Sequence, residues 1–454
     1  MKKEQLLARF VHETRYEDLP AEVATGVKRQ AVAIYAATIA GNRAAGIETL
    51  AGFAGEFGGK EEASILIHGG KVPAHTAAFV NSAMARAWDI CDHIAPGPHI
   101  GAACVPASLA AAELIGGCSG KDLVTAIAVG TETALRLNLE EHEYDGFDPT
   151  GVVAAFGAVA AASWLLKLDE GQILNAMALA FNRCGGSFQS HADGALAVRV
   201  VEGWCAEAGL ECARFAQRGI TGPDNWLDGV YGYFYLFGRG KADTEKTVEG
   251  LRRDWHVTDL NFKKYPSCGV TQGSTQLALD MMAEHGFTGE DVEKAEILIP
   301  PFTYRLVGEF RLGANPKVDA QFSVGYCVAN ALFRPPVKLV HFEPEAISDP
   351  AMLKYLEDRV VVVSDESIAR TRGHYSSDLV ISLKDGRVLK GAIDIPPGTP
   401  AYPMTEEEHR QRFYDCVAFA GIPWLAERAD AIHEGLKALE SQEDVRDLFA
   451  LFQE

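Results

Sequence analysis

The chain reads as a mainly α protein: an all-helical domain made of its N- and C-terminal parts, with a smaller α+β domain inserted as a lid. Three observations lead there. Apolar residues recur at helical spacing over most of the first 260 positions. β-type runs begin only after that point. Helical patterns then return beyond Pro400, so the strand-bearing part is bracketed by helix on both sides. At 454 residues the chain also exceeds what one ordinary hydrophobic core serves, so two domains are expected. The expected bounds are 1–262 for the first helical part, 263–398 for the lid and 399–454 for the second helical part.

The start, MKKEQLLARFVHETR, is a charged helical pattern without the apolar centre of a signal peptide. Residues 20–40 place Val23, Val27, Ala31, Ile34 and Thr38 at helical spacing, with Pro20 as the opening residue. Helices are predicted next over 74–88, over 105–115 with Pro106 near its start, and over 121–137 after the punctuating Gly120. Three more follow over 154–166, 171–181 and 200–218, and their many Ala and Gly residues predict close helix packing. The most apolar run, 151–166, is too short to span a bilayer comfortably and reads as a buried helix. Strands are predicted over 295–299, 360–364, 377–383 and 387–393, the last two joined as a hairpin by Lys384-Asp385-Gly386. Helices over 273–285 and 321–331 alternate with them. Pro396-Pro397-Gly398-Thr399-Pro400 reads as a linker, with helices over 405–419 and 422–451 beyond it.

A hydrophobic fraction of 48% and a charged fraction of 23% are ordinary for a globular protein. The net charge of −20 argues against nucleic acid, whose phosphates need a basic footprint, and against anionic membrane surfaces. It leaves room for a small anionic metabolite, because a few inward Lys, Arg and His residues decide the local field. The nine cysteines are scattered, with no CxxC pair, so a zinc ribbon or dithiol redox site is not expected. They are expected to be reduced, in a cytoplasmic protein.

The richest cluster is Trp88-Asp89-Ile90-Cys91-Asp92-His93-Ile94-Ala95-Pro96-Gly97-Pro98-His99, a bent segment between two helices. Loops held by rigid helices commonly place catalytic groups. A carboxylate beside an imidazole can divide acid and base roles when their environments push the pKa values apart. The alternative is that Asp92 caps a turn and the histidines are solvated. D-x-x-D-H…H matches no specific ligand pattern, so no metal is expected. In Phe262-Lys263-Lys264-Tyr265-Pro266-Ser267-Cys268 a lysine could clamp a carboxylate between domains, although a Lys-Lys pair is more often a solvated face. Cys268 would be a nucleophile only with a base nearby. Phe322 and Tyr326 are four apart, which on one helix puts them on one face; Tyr326 either packs or lines the cleft with its hydroxyl. Arg199 follows a run of small residues before a helix, where its fork suits a carboxylate or a structural ion pair.

In order and spacing these segments resemble the MmgE/PrpD family, which includes 2-methylcitrate dehydratase, cis-aconitate decarboxylase and iminodisuccinate epimerase. The resemblance runs along nearly the whole chain. It takes in 89–99, Pro106 through Glu113, Ser119-Gly120-Lys121-Asp122-Leu123, Gly130-Thr131-Glu132 and Gly146-Phe147-Asp148-Pro149-Thr150. It continues through Lys263–Cys268, Gln321-Phe322-Ser323 and Pro397-Gly398-Thr399-Pro400-Ala401-Tyr402-Pro403, ahead of Phe413. It implies a helical domain with an α+β lid, commonly a homodimer, and an active site that needs no iron–sulfur cluster or other cofactor. By position, Asp89 matches the family's pocket aspartate and His99 its downstream histidine. Lys263 matches the lysine of the K-x-aromatic-P motif, and Tyr326 the tyrosine after Q-F-S. His93 falls where cis-aconitate decarboxylase has a threonine. Three positions depart: Asp148 replaces a histidine, Val198 a lysine (with Arg199 one residue later), and Gln272 a further histidine. The implied pocket is less positive, which disfavours a tricarboxylate, since unpaired carboxylates lose hydration without compensation.

The family's reactions share the making or quenching of a carbanion next to a carboxylate. That step needs a base at the acidic carbon, cations on the carboxylate and an acid at the leaving or receiving atom. On this reading Lys263, Arg199 and Tyr326 bind substrate, His99 and Asp89 move protons, and His93 and Asp148 tune or replace the usual acid. The expected activity is a cofactor-independent lyase of the dehydratase type on a small hydroxy-carboxylate. An epimerase, isomerase or decarboxylase on a di- or tricarboxylate is the second reading, and a ligand-binding pseudoenzyme the third.

Overall fold

The computed structural model describes residues 1–140, 143–239 and 242–454. The chain divides into two compact units. One comprises Met1–Gln189, Leu196–Leu260 and Cys416–Glu454; the other comprises Ser190–Ala195 and Asn261–Asp415. Helix makes up 59% of the protein and strand 8%, which places it in the mainly α class.

The first unit is helical. Its longer helices are Lys3–Glu13, Ala21–Gly41, Ile47–Phe57, Ala74–Arg86, Gly101–Leu114, Gly120–Arg136, Pro149–Leu165, Glu170–Phe181, Ala197–Gln217 and Pro423–Lys437. Side-chain caps start several of them: Ser119 with Asp122, Asp148 ahead of Pro149, and Asp169 with Gln172. The Pro149–Leu165 helix is the centre of the core, with every residue except Trp164 buried. It packs against the Gly120–Arg136 and Ala197–Gln217 helices. Small residues allow that approach: a Cβ on Gly209 would lie 2.4 Å from the Cβ of Ala158. No described helix is long and apolar enough to cross a membrane. All nine cysteines are free.

Two helix expectations need correction here. The helix predicted to open near Pro106 begins at Gly101, so Pro106 lies inside it. The Asp92 carboxylate accepts the Gly101 N–H at 3.1 Å and so satisfies one of the donors that a helix start leaves open. The pattern over 422–451 is not one helix: Pro423–Lys437 is followed by short turns, because Asp444 accepts the Arg446 N–H and caps a new start.

The second unit is α+β. Its sheet has the order Val360–Ser364, Val292–Ile299, Ser377–Leu383, Val388–Ile393, with the first pair parallel and the others antiparallel. Leu379, Ile381 and Leu383 alternate inward, and Gly386 at φ +90° turns the predicted hairpin. The Gln272–His285 helix packs on it, Leu277 and Met281 meeting the strand at Gly391.

The predicted helix over 321–331 is two helices, Pro316–Gln321 and Val324–Phe333. Ser323 caps the second by accepting the Tyr326 N–H at 3.2 Å. Phe322 and Tyr326 therefore do not share a helix face. The proline-rich segment is a fixed turn of this unit: Gly398 donates to the Tyr402 carbonyl and accepts the Phe262 N–H, both at 2.8 Å. Gly398 has φ +88°, and a Cβ there would sit 1.8 Å from the Phe262 oxygen. The chain accordingly leaves this unit at Asp415, inside the Glu406–Ala420 helix, instead of at residue 398. Ser190–Ala195 also belongs to it, since the Gly194 carbonyl accepts from Asn315 at 2.8 Å and His191 meets Phe322 edge-on.

Candidate active site

Arg86, Asp89, Asp92, His93, His99, Asp148, Arg199 and Glu202 all lie in the helical unit, and none is more than 8% exposed. Such a concentration of buried charge is costly unless the groups compensate one another. The contacts show how they do so.

The Ala74–Arg86 helix ends at Arg86, and the chain turns back through Asp89 at φ +53°, a left-handed conformation that aspartate tolerates better than most residues. This turn puts the Asp89 carboxylate on the Arg86 guanidinium. Arg86 also faces Glu202 at 3.9 Å. Burial disfavours the Arg86 charge, but Asp89, Cys91, Glu202 and Asp148 outweigh it and raise its pKa. Asp92 is an anchor, taking the Gln30 amide at 2.7 Å as well as the Gly101 N–H. The alternative in which Asp92 caps a turn thus holds for Asp92.

His99 is fixed at three points. Its N–H donates to the Thr150 hydroxyl at 3.0 Å, its Nδ1 lies 2.8 Å from the Asp92 carbonyl, and Cys91 Sγ stands 3.3 Å from the same nitrogen. A carbonyl only accepts, so Nδ1 carries the proton in the neutral ring and Nε2 keeps the lone pair. Nε2 lies 3.7 Å from Asp89 Oδ1. The His93 ring is 6.0 Å from that of His99, centroid to centroid. Neither histidine is solvated.

Asp148 caps the Pro149–Leu165 helix, accepting the Thr150 N–H at 2.9 Å, and its own N–H donates to the Gly186 carbonyl at 3.0 Å. Arg199 lies in the first turn of the Ala197–Gln217 helix and donates Nη1 to the Ala45 carbonyl at 2.5 Å. Among the described residues it has no carboxylate partner, and its buried Nε has no hydrogen-bond acceptor. Burial, then the neighbouring Arg86, lowers its pKa to about 10. Glu202 is wholly buried; burial, opposed by Arg86 and reinforced by Asp148 and Asp92, pushes its carboxyl well above the usual range. Arg86 and Glu202 escaped the sequence reading. Their available signals were an arginine three residues before Asp89 and an acid between Val201 and Gly203 in an apolar stripe.

The remaining candidates belong to the α+β unit. Lys263 is 1% exposed, and its carbonyl accepts from Arg412 at 2.7 Å. Lys264 pairs with Glu408 at 2.7 Å, so this lysine pair is not a solvated face. Gln272 braces the loop that carries them. Its Oε1 accepts the Lys264 and Tyr265 N–H groups, and its Nε2 donates to the Tyr265 and Ser267 carbonyls. The Tyr326 hydroxyl is engaged within the unit, donating to the His341 carbonyl at 2.6 Å and accepting from Arg334 at 2.8 Å. Burial pushes its pKa up.

A helical unit with a buried Asp–His–Arg cluster, followed in the chain by an α+β unit, defines the class. The chain belongs to the MmgE/PrpD family: the family's N-terminal domain matches residues 5–245 and its C-terminal domain residues 265–437. Two curated relatives are cis-aconitate decarboxylases of Aspergillus terreus, one from strain NIH 2624 / FGSC A1156. Each is 27% identical over 227 residues, covering 47% of this chain and 46% of the relative. The similarity therefore spans about half the length of these relatives.

Proposed function

We propose that the protein is a cofactor-independent lyase of the dehydratase type, which removes a proton next to the carboxylate of a small hydroxy-carboxylate. The observation that carries this reading is Arg199: a buried guanidinium without a carboxylate partner among the described residues, close enough to Arg86 to feel its charge. Such a group calls for an anion, and a planar carboxylate fits its fork.

His99 supplies the base. Nε2 takes the proton from the carbon next to the carboxylate, and Asp89 at 3.7 Å stabilises the imidazolium that results. The electron pair of the broken C–H bond passes toward the carboxylate, where Arg199 meets the growing charge. It then forms the C=C bond as the C–O bond breaks, and hydroxide leaves as water after protonation, for which His93 is the nearest imidazole to His99. Asp148 acts through its helix cap, which sets the turn bearing Thr150, the acceptor for His99. Lys263 and Tyr326 enter as substrate-binding residues on the family pattern alone. The homodimeric state expected from the family resemblance and the cytoplasmic location expected from the sequence belong to the same proposal.

The likeness to cis-aconitate decarboxylase favours one second reading, in which the C–C bond to a carboxylate breaks, carbon dioxide leaves, and the electron pair left on carbon takes a proton from His99 in its protonated form. A panel of hydroxy-acids and unsaturated di- and tricarboxylates separates the cases. Alkene absorbance with loss of water supports the dehydratase, and release of carbon dioxide supports the decarboxylase. Solvent deuterium entering one carbon with no alkene formed points to an epimerase and overturns the lyase. Binding without turnover across the panel points to a ligand-binding pseudoenzyme.

A further inference from the structure

A second polar cluster in the helical unit shares no residue with the candidate active site. His75 stands in the first turn of the Ala74–Arg86 helix, and Glu207 and Glu211 lie one turn apart on the Ala197–Gln217 helix. One ligand atom from each, an imidazole nitrogen and two carboxylate oxygens, lies within 4.8 Å of the other two. All three side chains are half-buried, and the two helices pack directly on each other, so rigid elements set the spacing.

The cluster is electrostatically unfinished. Two carboxylates four residues apart on a helix repel each other. Arg183 neutralises one oxygen of Glu211 at 3.0 Å, and Arg214 is already matched to Glu62 at 2.8 Å. Among the described residues, neither His75 nor Glu207 has a hydrogen-bond or ion-pair partner.

We propose that His75, Glu207 and Glu211 bind a divalent cation of the zinc class, which clamps the first turn of one helix to the middle of the other. The imidazole favours zinc over magnesium or calcium, and the three protein ligands leave a fourth position for water. One of these helices ends at Arg86, and the other begins just before Arg199 and Glu202. A cation here would therefore brace the two helices that carry those residues. Its role is structural, and it stands or falls independently of the proposed reaction.

The test is equilibrium dialysis of metal-stripped protein against Zn²⁺, with metal analysis and thermal melts. The expected result is one zinc per chain, a raised melting temperature with zinc, and affinity reduced ~100-fold in Glu207→Gln and in His75→Gln. Both variants are compared with wild type by circular dichroism without metal, so that loss of binding is read on folded protein. Cobalt substitution reports the ligand set, because the free cysteines are the competing zinc ligands. Visible d–d bands without thiolate-to-cobalt charge transfer support the site. A charge-transfer band, no uptake by the wild type, or wild-type uptake by either variant overturns it.

Discussion

At the scale of single residues, one hydrogen bond sets the character of His99. The Asp92 carbonyl holds the Nδ1 proton at 2.8 Å, leaving Nε2 to face Asp89. His99→Ala should lower kcat by ~10²–10⁴, the range expected for removal of a general base. Arg199 makes a sharper prediction. Arg199→Met should raise KM ~30-fold through loss of a charge-assisted contact, yet raise the melting temperature, because an unmatched buried cation is a cost the fold carries for its ligand. Equal KM values, or a lowered melting temperature with normal kinetics, would make Arg199 a structural residue. Asp89 and His99 stood out in the sequence as neighbours in a dense segment. Arg86 and Glu202 did not, because an arginine or glutamate acquires this meaning only once it is buried beside a partner distant in the chain.

At the scale of elements, capping and bracing replace the chemistry that residue type alone suggests. Asp148 stands where a catalytic acid is expected, but its carboxylate holds the Thr150 N–H at 2.9 Å. Asp148→Ala should cost ~1 kcal/mol in urea unfolding, and Asp148→Ser should restore both stability and turnover by supplying another cap. If the serine variant is as inactive as the alanine one, Asp148 takes part in proton transfer directly. Gln272, at a position where the family resemblance implies a histidine, uses both ends of its amide to hold the Lys263 loop. A neutral imidazole offers one donor and one acceptor, so Gln272→His should destabilise by ~1–3 kcal/mol as loop groups lose partners. The hairpin was legible because alternation and a glycine turn are local signals. The break between Gln321 and Val324 was less so, since Ser323 reads as an ordinary residue until its hydroxyl is seen to cap a helix.

At the scale of the whole molecule, pH dependence gathers groups that no local motif announces. Burial first, then Arg334 and Lys338, lowers His341 to about 4, against an ordinary 6.5. The unfolded chain therefore takes up this proton first as pH falls, and stability from His341 is lost progressively from the unfolded value down through the folded one. His341→Gln should lose less melting temperature than wild type between about pH 7.5 and pH 5; an identical loss in both would place the acid sensitivity elsewhere. The sequence by itself determined the mainly α class, the confinement of the strands to the later part of the chain, the family and the segment 89–99. These depend on periodicity, turn chemistry and spacing, which neighbours along the chain encode. Tertiary structure alone decided where the second unit ends, which helices meet through Gly209 and Ala158, and that Arg199 is buried against Ala45. Such facts depend on which distant residues come together and exclude water, and burial is what turns an ordinary charged side chain into a candidate binding group.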